Sequence, residues 1–512
     1  MTDNTTGHSN TAVGMNCLLA NTIGHSNVAV GKGALDANTT ASGNTAVGKS
    51  SMTANTTGAT NTGLGFNTLE QNTTGSHNTA LGDGALNANT TASNNTAVGR
   101  QAMVSNTTGD LNTAIGVQAM SGSVNNDRNV AVGYATLQNI ADGQGDTYHT
   151  CVGYGAGNAI TTGTQQTHVG ANAGLSVTTG NGNSFMGYNA GQATTTGAWN
   201  TAVGRACFSS NTTGGANTVL GVNALATNAT HGENVAIGYQ ALYTATANNN
   251  VAVGAEAGEQ TTTGYQNTYI GFRAAEESTT SYQSTAVGSY ALDDCTTGIK
   301  NTALGWDAGG DVSTGGHNVY VGTAAGNNHT TGSNSIYIGN GSAASDGNEG
   351  VAICMGPSLT SKGNYYTTFG TNANGKVYNY FPSNATWTRE SDERLKKDIQ
   401  TNTDCGLNFI NELRTVTYKW KAPSEVPATL PNYDQSQTEA VHKDKMYGFV
   451  AQEVKAAMDK LNITDFNGWT CPGDGVQGIS YEMFVMPLVK AVQELSAKNT
   501  ALEARLAALE GS

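Results

Sequence analysis

Residues 95–111 have the sequence NTAVGRQAMVSNTTGDL, and this seventeen-residue unit recurs along most of the chain. The glycine that closes the Asn-Thr-Ala-Val-Gly motif returns from Gly14 to Gly339 in 20 copies, with only two shifts in phase. The consensus is N-T-A-V-G-x-x-A-L-x-x-N-T-T-G-x-x. Self-similarity at a fixed short period indicates one structural unit per repeat, stacked on its neighbours.

The composition of the repeat predicts β structure. Seventeen residues are too few for a helical hairpin, and Gly, Asn and Thr are poor helix formers. Each unit contains two short runs that we expect to be extended, Thr-Ala-Val and Ala-Leu, separated by glycine or Asn-Thr-Thr-Gly turns. Ala, Val and Leu at fixed positions would form a thin interior, while Asn and Thr would stack into hydrogen-bonded ladders. The sequence therefore predicts a mostly β fold, with a β-solenoid or β-roll over residues 1–340.

The repeat resembles the head repeats of trimeric autotransporter adhesins and related viral fibres. That resemblance implies three parallel chains, which would also help a thin rod that buries little apolar area per residue. Coils that rise about 4.8 Å each would give a shaft about 95 Å long. Two alternatives stay open: an ice-binding surface built on regular Thr ladders, and a polysaccharide-degrading solenoid. The second would need paired carboxylates, for which only Glu276-Glu277 and Asp293-Asp294 are candidates.

One position of the repeat carries a row of tyrosines. Tyr134, Tyr154, Tyr188 and Tyr239 each follow the motif glycine directly. Such a row can stack on sugars, or it can pack against a neighbouring coil or chain.

Charge and cysteine content exclude several function classes. The net charge of −14 disfavours binding to a nucleic-acid backbone or to an anionic membrane. The seven cysteines are scattered and contain no CxxC pair, so they indicate small buried side chains rather than a zinc or disulfide framework. No signal segment and no run of 18 apolar residues is present, which predicts synthesis in a host cytoplasm without membrane insertion. We expect no cofactor and no metal.

The character of the sequence changes at Ser391. About 8% of residues 1–390 are charged, against about 25% of residues 391–512, and no proline precedes Pro357. The composition therefore predicts a shaft over 1–340, a transition or tip over 341–390, and a globular domain over 391–512.

The transition segment is the most aromatic part of the chain. Alternating aromatic residues flank Asn374-Gly375, which is a strong hairpin signal. We expect a small hairpin whose aromatic side chains form its own core or a receptor-contacting tip, because exposed Tyr and Trp favour recognition of sugars and proteins. The candidate receptor-binding residues are Tyr365, Tyr366, Tyr378, Tyr380 and Trp387.

Three blocks in the last 122 residues carry a specific resemblance. They are SDERLKKDI at 391–399, YGFVAQEV at 447–454, and Tyr481 followed by LVKAVQEL at 488–495. These blocks resemble the intramolecular chaperone, or auto-processing serine peptidase, domain carried by endosialidases, phage tail spikes and neck appendages. The resemblance implies an α+β domain that trimerises, aligns the fibre upstream, and then cuts the chain between Glu390 and Ser391.

By the same resemblance, Ser391 is the nucleophile and Lys396 is its partner in a single-turnover reaction. A lysine can take a serine proton only as a neutral amine, which requires removal of water or nearby positive charge. Arg389, Arg394 and Lys397 are close enough in sequence to contribute such charge. The alternative is that Ser391 caps a helix that starts at Asp392, with Lys396 solvated.

The chain ends in heptads that predict a parallel coiled coil over residues 484–510. Leu488, Leu495, Leu502 and Leu509 fall at d, while Val492, Asn499 and Leu506 fall at a. The heptads alone do not choose three strands over two, so the trimer follows from the resemblance and from the needs of the fibre.

Together these features predict a structural fibre protein of a virion, a tail fibre or spike, that attaches to a host surface. The expected partners are two further copies of the chain, a host glycan or protein receptor, and a particle attachment protein. The shaft shows no sign of an enzyme.

Overall fold

The chain divides into two compact units, Met1–Glu390 and Ser391–Ser512, in a computed structural model of the protein. The structure describes residues 3–511 except for 142–144, 374, 381, 383–387, 390, 429, 431–432, 441–442 and 472–475. The first unit is a β-solenoid with turns of about 17 residues, as the repeat predicts. The second is a small unit of helices and short strands that ends in a long helix.

Each coil of the first unit contributes one three-residue strand. In chain order, β1 to β21 are Thr11–Val13, Val28–Val30, Thr45–Val47, Thr62–Leu64, Thr79–Leu81, Thr96–Val98, Thr113–Ile115, Val130–Val132, Thr150–Val152, Thr167–Val169, Ser184–Met186, Thr201–Val203, Thr218–Leu220, Val235–Ile237, Val251–Val253, Thr268–Ile270, Thr285–Val287, Thr302–Leu304, Val319–Val321, Ile336–Ile338 and Ile353–Met355.

These strands pair in parallel, each with the next coil and in the same register. In β12 and β13, Thr201 lies opposite Thr218 and Val203 lies opposite Leu220. Successive side chains of a strand point to opposite faces, so the middle residue faces the interior while the first and third face outward. The sheet thus has one face inside the coils and one outside.

The solenoid continues past the boundary predicted at residue 340. After β21, strand β22 (Tyr366–Thr371) pairs in parallel with β21 and antiparallel with β23 (Gly375–Tyr380). A last strand, β24 (Thr388–Arg389), pairs with β23. The hairpin predicted from Asn374-Gly375 is therefore present, although Asn374 itself lies outside the described residues.

The prediction of a second extended run in each coil is wrong. The Ala-Leu segment forms tight turns, and its second residue adopts the left-handed conformation; Phe208, which holds this position in one coil, has φ 53°. Two more corners of that coil, Ala206 at φ 52° and Ala216 at φ 58°, are left-handed as well. Such backbone costs about 1–2 kcal/mol per L-residue in isolation. Hydrogen bonds to the adjacent coil, such as Phe208 N–H to the Ala224 carbonyl at 3.0 Å, offset that cost.

The predicted polar ladders are confirmed. The Asn44 backbone N–H donates to Asn27 Oδ1 at 2.9 Å, and the Asn44 amide donates to the Gly58 carbonyl at 2.9 Å. In the second ladder the Asn55 amide donates to Asn38 Oδ1 at 3.0 Å. These asparagines are fully buried. The first ladder satisfies backbone groups of neighbouring coils, and the second satisfies a carbonyl three residues along its own coil, as from Asn55 to Gly58 at 2.9 Å.

Large side chains in the interior are matched by glycines. Where the middle strand residue is Phe185, the usual Leu position of that coil is Gly191, and a Cβ there would lie 2.5 Å from the ring. Tyr320 is accommodated in the same way by Gly326, where a Cβ would lie 2.2 Å from the ring. The interior therefore keeps a nearly constant volume per coil, as close packing requires.

Two buried histidines lie at neighbouring coils of this interior. His168 is fully buried, its ring nitrogens have no partner among the described residues, and it stacks on Phe185 at 5.1 Å. Burial, and then repulsion from His149, lowers the pKa of His168 to about 3. Burial lowers the pKa of His149 to about 4. Both are therefore neutral in the folded chain at neutral pH.

We expect the shaft to lose stability as the pH falls from about 6.5 towards 4. In that window the unfolded chain binds a proton at each histidine and the folded chain does not, so each costs up to about 1.4 kcal/mol per pH unit. In a double variant, His149→Asn introduces the residue that the ladder carries in other coils, and His168→Phe introduces the side chain that the next coil carries as Phe185. Both titrating groups are then removed. Unfolding midpoints measured from pH 7 to 4 should fall less steeply for this variant; equal slopes would contradict the assignment.

The second unit is built from three helices and two small antiparallel pairs. Its elements are α1 (Leu407–Glu412), β25 (Val416–Tyr418) paired with β26 (Met446–Gly448), α2 (Ala451–Lys460), β27 (Trp469–Thr470) paired with β28 (Gly478–Ile479), and α3 (Val485–Glu510). Phe409, Val454, Met458 and Phe484 form its core. Over the described residues, no helix is long and apolar enough to cross a membrane.

Candidate functional site

The two candidate catalytic residues lie in direct contact. Lys396 Nζ donates a hydrogen bond to Ser391 Oγ at 2.6 Å. This separation lies within the range expected for a nucleophile and its base. The pair is thus placed for proton transfer between the hydroxyl and the amine.

A short 3₁₀ turn brings the pair together. The turn spans Glu393–Leu395, and Asp392 caps its start by accepting the Arg394 N–H at 2.9 Å. The chain reverses over these residues, so a side chain five positions later reaches back to Ser391. The cap of this turn is therefore Asp392, and Ser391 does not take the capping role that was the alternative interpretation.

Charge around the pair is largely compensated. The Arg394 guanidinium forms hydrogen bonds to both Asp392 oxygens, at 3.0 Å from Nε and 2.6 Å from Nη2. These bonds, and secondarily the nearby Lys396 ammonium, lower the pKa of Asp392. The guanidinium charge of Arg394 is thus balanced by a carboxylate and does little to favour a neutral lysine.

The whole arm that carries the pair is solvent-exposed. Every residue from 391 to 404 is exposed, including the large apolar side chains of Leu395 and Ile399. A lysine becomes a base most readily when water is removed from it. The isolated chain therefore presents the pair in contact but not in the dry surroundings that the reaction requires. Glu390 and Trp387, also predicted site residues, lie outside the described residues.

The aromatic hairpin packs largely on itself. The Tyr366 ring lies 4.8 Å from the Tyr380 ring and 5.8 Å from the Tyr378 ring, between centroids, and all three are half-buried. Lys362 covers the Tyr378 ring at 4.9 Å. Tyr365 is the exception, since it is exposed and left-handed at φ 66°. Of the predicted receptor-binding tyrosines, Tyr365 is the one most accessible to a ligand.

The later sequence blocks of the second unit meet in one place. The Phe449 N–H donates to the Tyr481 hydroxyl at 3.0 Å, and the two rings stack at 5.8 Å. Gly448 is required there because a Cβ would lie 2.0 Å from that hydroxyl. In the third block, Glu494 accepts the Leu407 N–H at 2.8 Å and so holds the start of α1 against α3. These blocks are therefore structural.

Helix α3 exposes the apolar seam predicted from its heptads. Every residue from 495 to 511 is exposed, and Leu509 is 72% exposed. Towards its start, Val485, Leu488, Val489 and Val492 line an almost wholly apolar groove of about 340 Å³. An isolated helical segment with this seam is marginally stable in water. We therefore expect the seam to pack against another helix.

The outer face of the sheet holds a second apolar stripe that the sequence analysis missed. The third strand residue is Val, Leu, Ile or Met in all 21 coils, and it faces outward. Examples are Val13 at 57%, Leu220 at 48% and Leu304 at 51% exposure. The consensus contains this apolar residue as the valine of Asn-Thr-Ala-Val-Gly, but the prediction placed that valine in the interior. A continuous apolar strip of this length marks an interaction surface.

One acidic group has the spacing of a metal site. Carboxylate oxygens of Glu256, Glu259 and Glu276 lie within 4.8 Å of one another. Arg273 already lies among them, with its Nε 2.7 Å from Glu256 and 3.3 Å from Glu276. The arginine pairs with two of the three carboxylates, Glu256 and Glu276, so the group is at least in part a structural ion-pair cluster.

Comparison with known families gives one match, and it lies in the second unit. The family model described as "Chaperone of endosialidase" (Peptidase_S74) matches residues 391–463. The match begins at the serine of the Ser391–Lys396 pair. Comparison with curated proteins and with solved structures gives no match. The β-solenoid of residues 1–390 is therefore followed by a chaperone-of-endosialidase domain.

Proposed function

We propose that the chain is a homotrimeric fibre or spike of a virus particle that attaches to a host surface. The chaperone domain aligns three chains and then removes itself by cutting between Glu390 and Ser391. The observation that carries this proposal is the family match that begins at residue 391, after a long repetitive shaft. A stack of near-identical coils can pair out of register, so an alignment module at its end has a clear use.

Two exposed apolar surfaces support association with further copies. The stripe on the outer sheet face and the seam of α3 are both apolar and both run lengthwise. A half-exposed leucine gains on the order of 1 kcal/mol when a partner covers it, and the stripe repeats this gain in every coil. Because the same surface recurs on every copy, three parallel chains can each present their stripe to a common axis.

The cleavage chemistry is an acyl shift followed by hydrolysis. Lys396, as a neutral amine, takes the proton of Ser391 Oγ, and the oxygen attacks the carbonyl carbon of residue 390. The carbon–nitrogen bond breaks, the nitrogen of Ser391 takes the proton from Lys396, and an ester joins residue 390 to Ser391 Oγ. One water then hydrolyses this ester, which leaves a carboxylate at residue 390 and a free hydroxyl and amine on Ser391. Burial of the exposed arm by a neighbouring copy would supply the dry site.

Charge placed on the stripe should prevent assembly. The test uses a Ser391→Ala background, so that the chain is not cut. With the stripe unchanged, light scattering should give a mass of three times 52.5 kDa. Adding Leu220→Asp and Leu304→Asp should shift the mass towards one chain, because each buries a carboxylate in the interface. Thr213→Asp, at an exposed position of another face, is the matched control and should leave the trimer intact.

A trimer that persists in the doubly charged variant would show that the stripe does not form the interface. A single-chain mass for the unchanged protein would overturn the trimer itself. In that case the outer face, with its columns of Thr and Val, would stay open to water and favour the ice-binding alternative, which thermal hysteresis would reveal.

A further inference from the structure

The residues that follow the motif glycines form a column along the shaft, and this column carries exposed aromatic side chains in several coils: Phe66, Tyr134, Tyr154, Tyr188, Tyr239, Phe272 and Trp306. The motif glycines lie directly over one another, so a Cβ on Gly153 would lie 2.4 Å from the Gly170 carbonyl oxygen. The next residues are therefore aligned too. Tyr134 and Tyr154 in adjacent coils stack with centroids 5.3 Å apart and planes within 10°. Aromatic rings in adjacent coils of this column can therefore stack face to face, as this pair does.

The column has a gap one coil wide between two of these rings. Tyr154 and Tyr188 are 60% and 54% exposed, and the coil between them carries Ala171 at this position. Two coils separate the tyrosines by about 9.6 Å. A carbon contact needs about 3.5–4 Å on each side, so the gap takes one puckered ring in contact with both aromatic faces.

A pair of amides borders the gap. The Asn172 N–H donates to the Tyr154 carbonyl at 2.8 Å, and the Asn189 N–H donates to the Ala171 carbonyl at 3.0 Å, which places both asparagines beside the gap. Their side chains are joined by a hydrogen bond from Asn172 Nδ2 to Asn189 Oδ1 at 3.2 Å. An amide pair can both donate to and accept from hydroxyl groups.

The coils that form the gap carry no formal charge, and the nearest charge of the column is Arg205, one coil beyond Tyr188. The sequence contains no Asp, Glu, Lys or Arg from residue 147 to 204. The two histidines of these coils are buried and neutral, as their lowered pKa values require. A ligand within the gap meets aromatic faces and amides, which suits a neutral sugar, and Arg205 lies on the far side of Tyr188.

Two other gaps in the column differ from this one, because one is filled by an aromatic ring and the other lies beside a charged side chain. The gap between Phe272 and Trp306 is filled by Tyr290, whose ring meets theirs edge-on at 5.4 and 6.5 Å. Arg273 lies over the Phe272 ring at 5.3 Å, so the gap on the other side of Phe272 is charged.

We propose that the gap between Tyr154 and Tyr188, over Ala171 and beside Asn172 and Asn189, binds one ring of a neutral glycan. This site deepens the attachment role proposed above, and it shares no residue with the aromatic hairpin or with the self-cleavage pair. Its failure would therefore leave the trimer and cleavage predictions untouched.

The test measures binding of the full chain to cellohexaose, maltohexaose and mannohexaose, with a heparin hexasaccharide as the acidic comparison. Ala171→Tyr fills the gap with the side chain that its neighbouring coils already carry, so it should fold and weaken binding by at least tenfold. Tyr154→Ala should weaken binding by about tenfold, because it removes one aromatic face. Tyr239→Ala, in the same column but outside the gap, should leave binding unchanged.

Three results would overturn the site. They are no binding of any neutral hexasaccharide, equal binding by the Ala171→Tyr variant, and a change of oligomer mass in either gap variant. The last would show that the column contacts a second copy of the chain. Preference for the heparin fragment would equally contradict a neutral ligand.

Discussion

Alanine in place of Gly221 should break the stack of coils at that point. Gly221 follows β13 and has φ 144°, a region that side chains rarely adopt. An added Cβ would lie 2.1 Å from the Gly238 carbonyl oxygen and 2.6 Å from its carbon. Both obstacles are backbone atoms of the next coil, so they cannot move aside as a flexible side chain would.

The overlap can be relieved only by separating the coils. That would cost hydrogen bonds such as the one from Gly221 N–H to the Val203 carbonyl at 2.9 Å. Together with the conformational strain we expect a loss of several kcal/mol, in the range of the most damaging single substitutions. Thermal unfolding and limited proteolysis would show a lower midpoint and new cleavage near residue 221.

Gly84→Ala is the matched control. Gly84 also has a positive φ, 67°, but it lies at a corner where a Cβ would meet only the Gln101 side chain at 3.7 Å. Other coils carry alanine at this corner, for example Ala135 and Ala206. A cost of about 1 kcal/mol or less is expected there. Equal midpoints for the Gly221 and Gly84 variants would contradict the close stacking of the glycine column.

The sequence predicted the shaft well because its interactions repeat. A ladder such as Asn27, Asn44 and Asn61 needs the same residue at the same step of every coil, and this leaves a visible period. The coils beyond Gly339 were harder to recognise because Gly356 and Gly370 are only 14 residues apart. The pairing of β21 with β22 nevertheless continues the same sheet.

The left-handed Leu corners could not be predicted from local preference. Leucine avoids this backbone region, so Leu86 at φ 50° contradicts its own propensity. The hydrogen bond from Leu86 N–H to the Ala102 carbonyl at 3.0 Å exists only once the next coil is in place. In contrast, the sequence itself shows a glycine, Gly191, at the usual leucine position of the coil that contains Phe185.

The candidate site, too, could be predicted only in part from the sequence. The resemblance named Ser391 and Lys396, and the four residues between them suit the single 3₁₀ turn that joins them. Which group buries the pair does not follow from one chain, because that surface belongs to another copy in the proposed trimer. The outward valine of each strand was misassigned for the same reason, since an interface residue and a core residue are both apolar.

Ser391→Ala should abolish self-cleavage. The substitution removes the hydroxyl that we propose attacks the bond before residue 391, and a single-turnover reaction without its nucleophile should slow by a thousandfold or more. Lys396→Met should have a similar effect, because the hydrogen bond of 2.6 Å to Ser391 Oγ would be lost and no base would remain. The arm is exposed, so neither change should unfold the domain.

Ser436→Ala is the matched control for these variants. Ser436 is an exposed serine of the same unit that hydrogen-bonds locally to Asp434 Oδ1 at 2.6 Å. Its substitution should leave cleavage unchanged. Cleavage lost in all three variants would point to a folding defect rather than to the pair.

Intact-mass analysis of the purified protein beside Ser391→Ala tests the central claim most directly. The unchanged protein should give fragments that correspond to residues 1–390 and 391–512, and the variant should give one chain of 52.5 kDa. An uncut unchanged protein, or the same fragments from the variant, would contradict self-cleavage by Ser391.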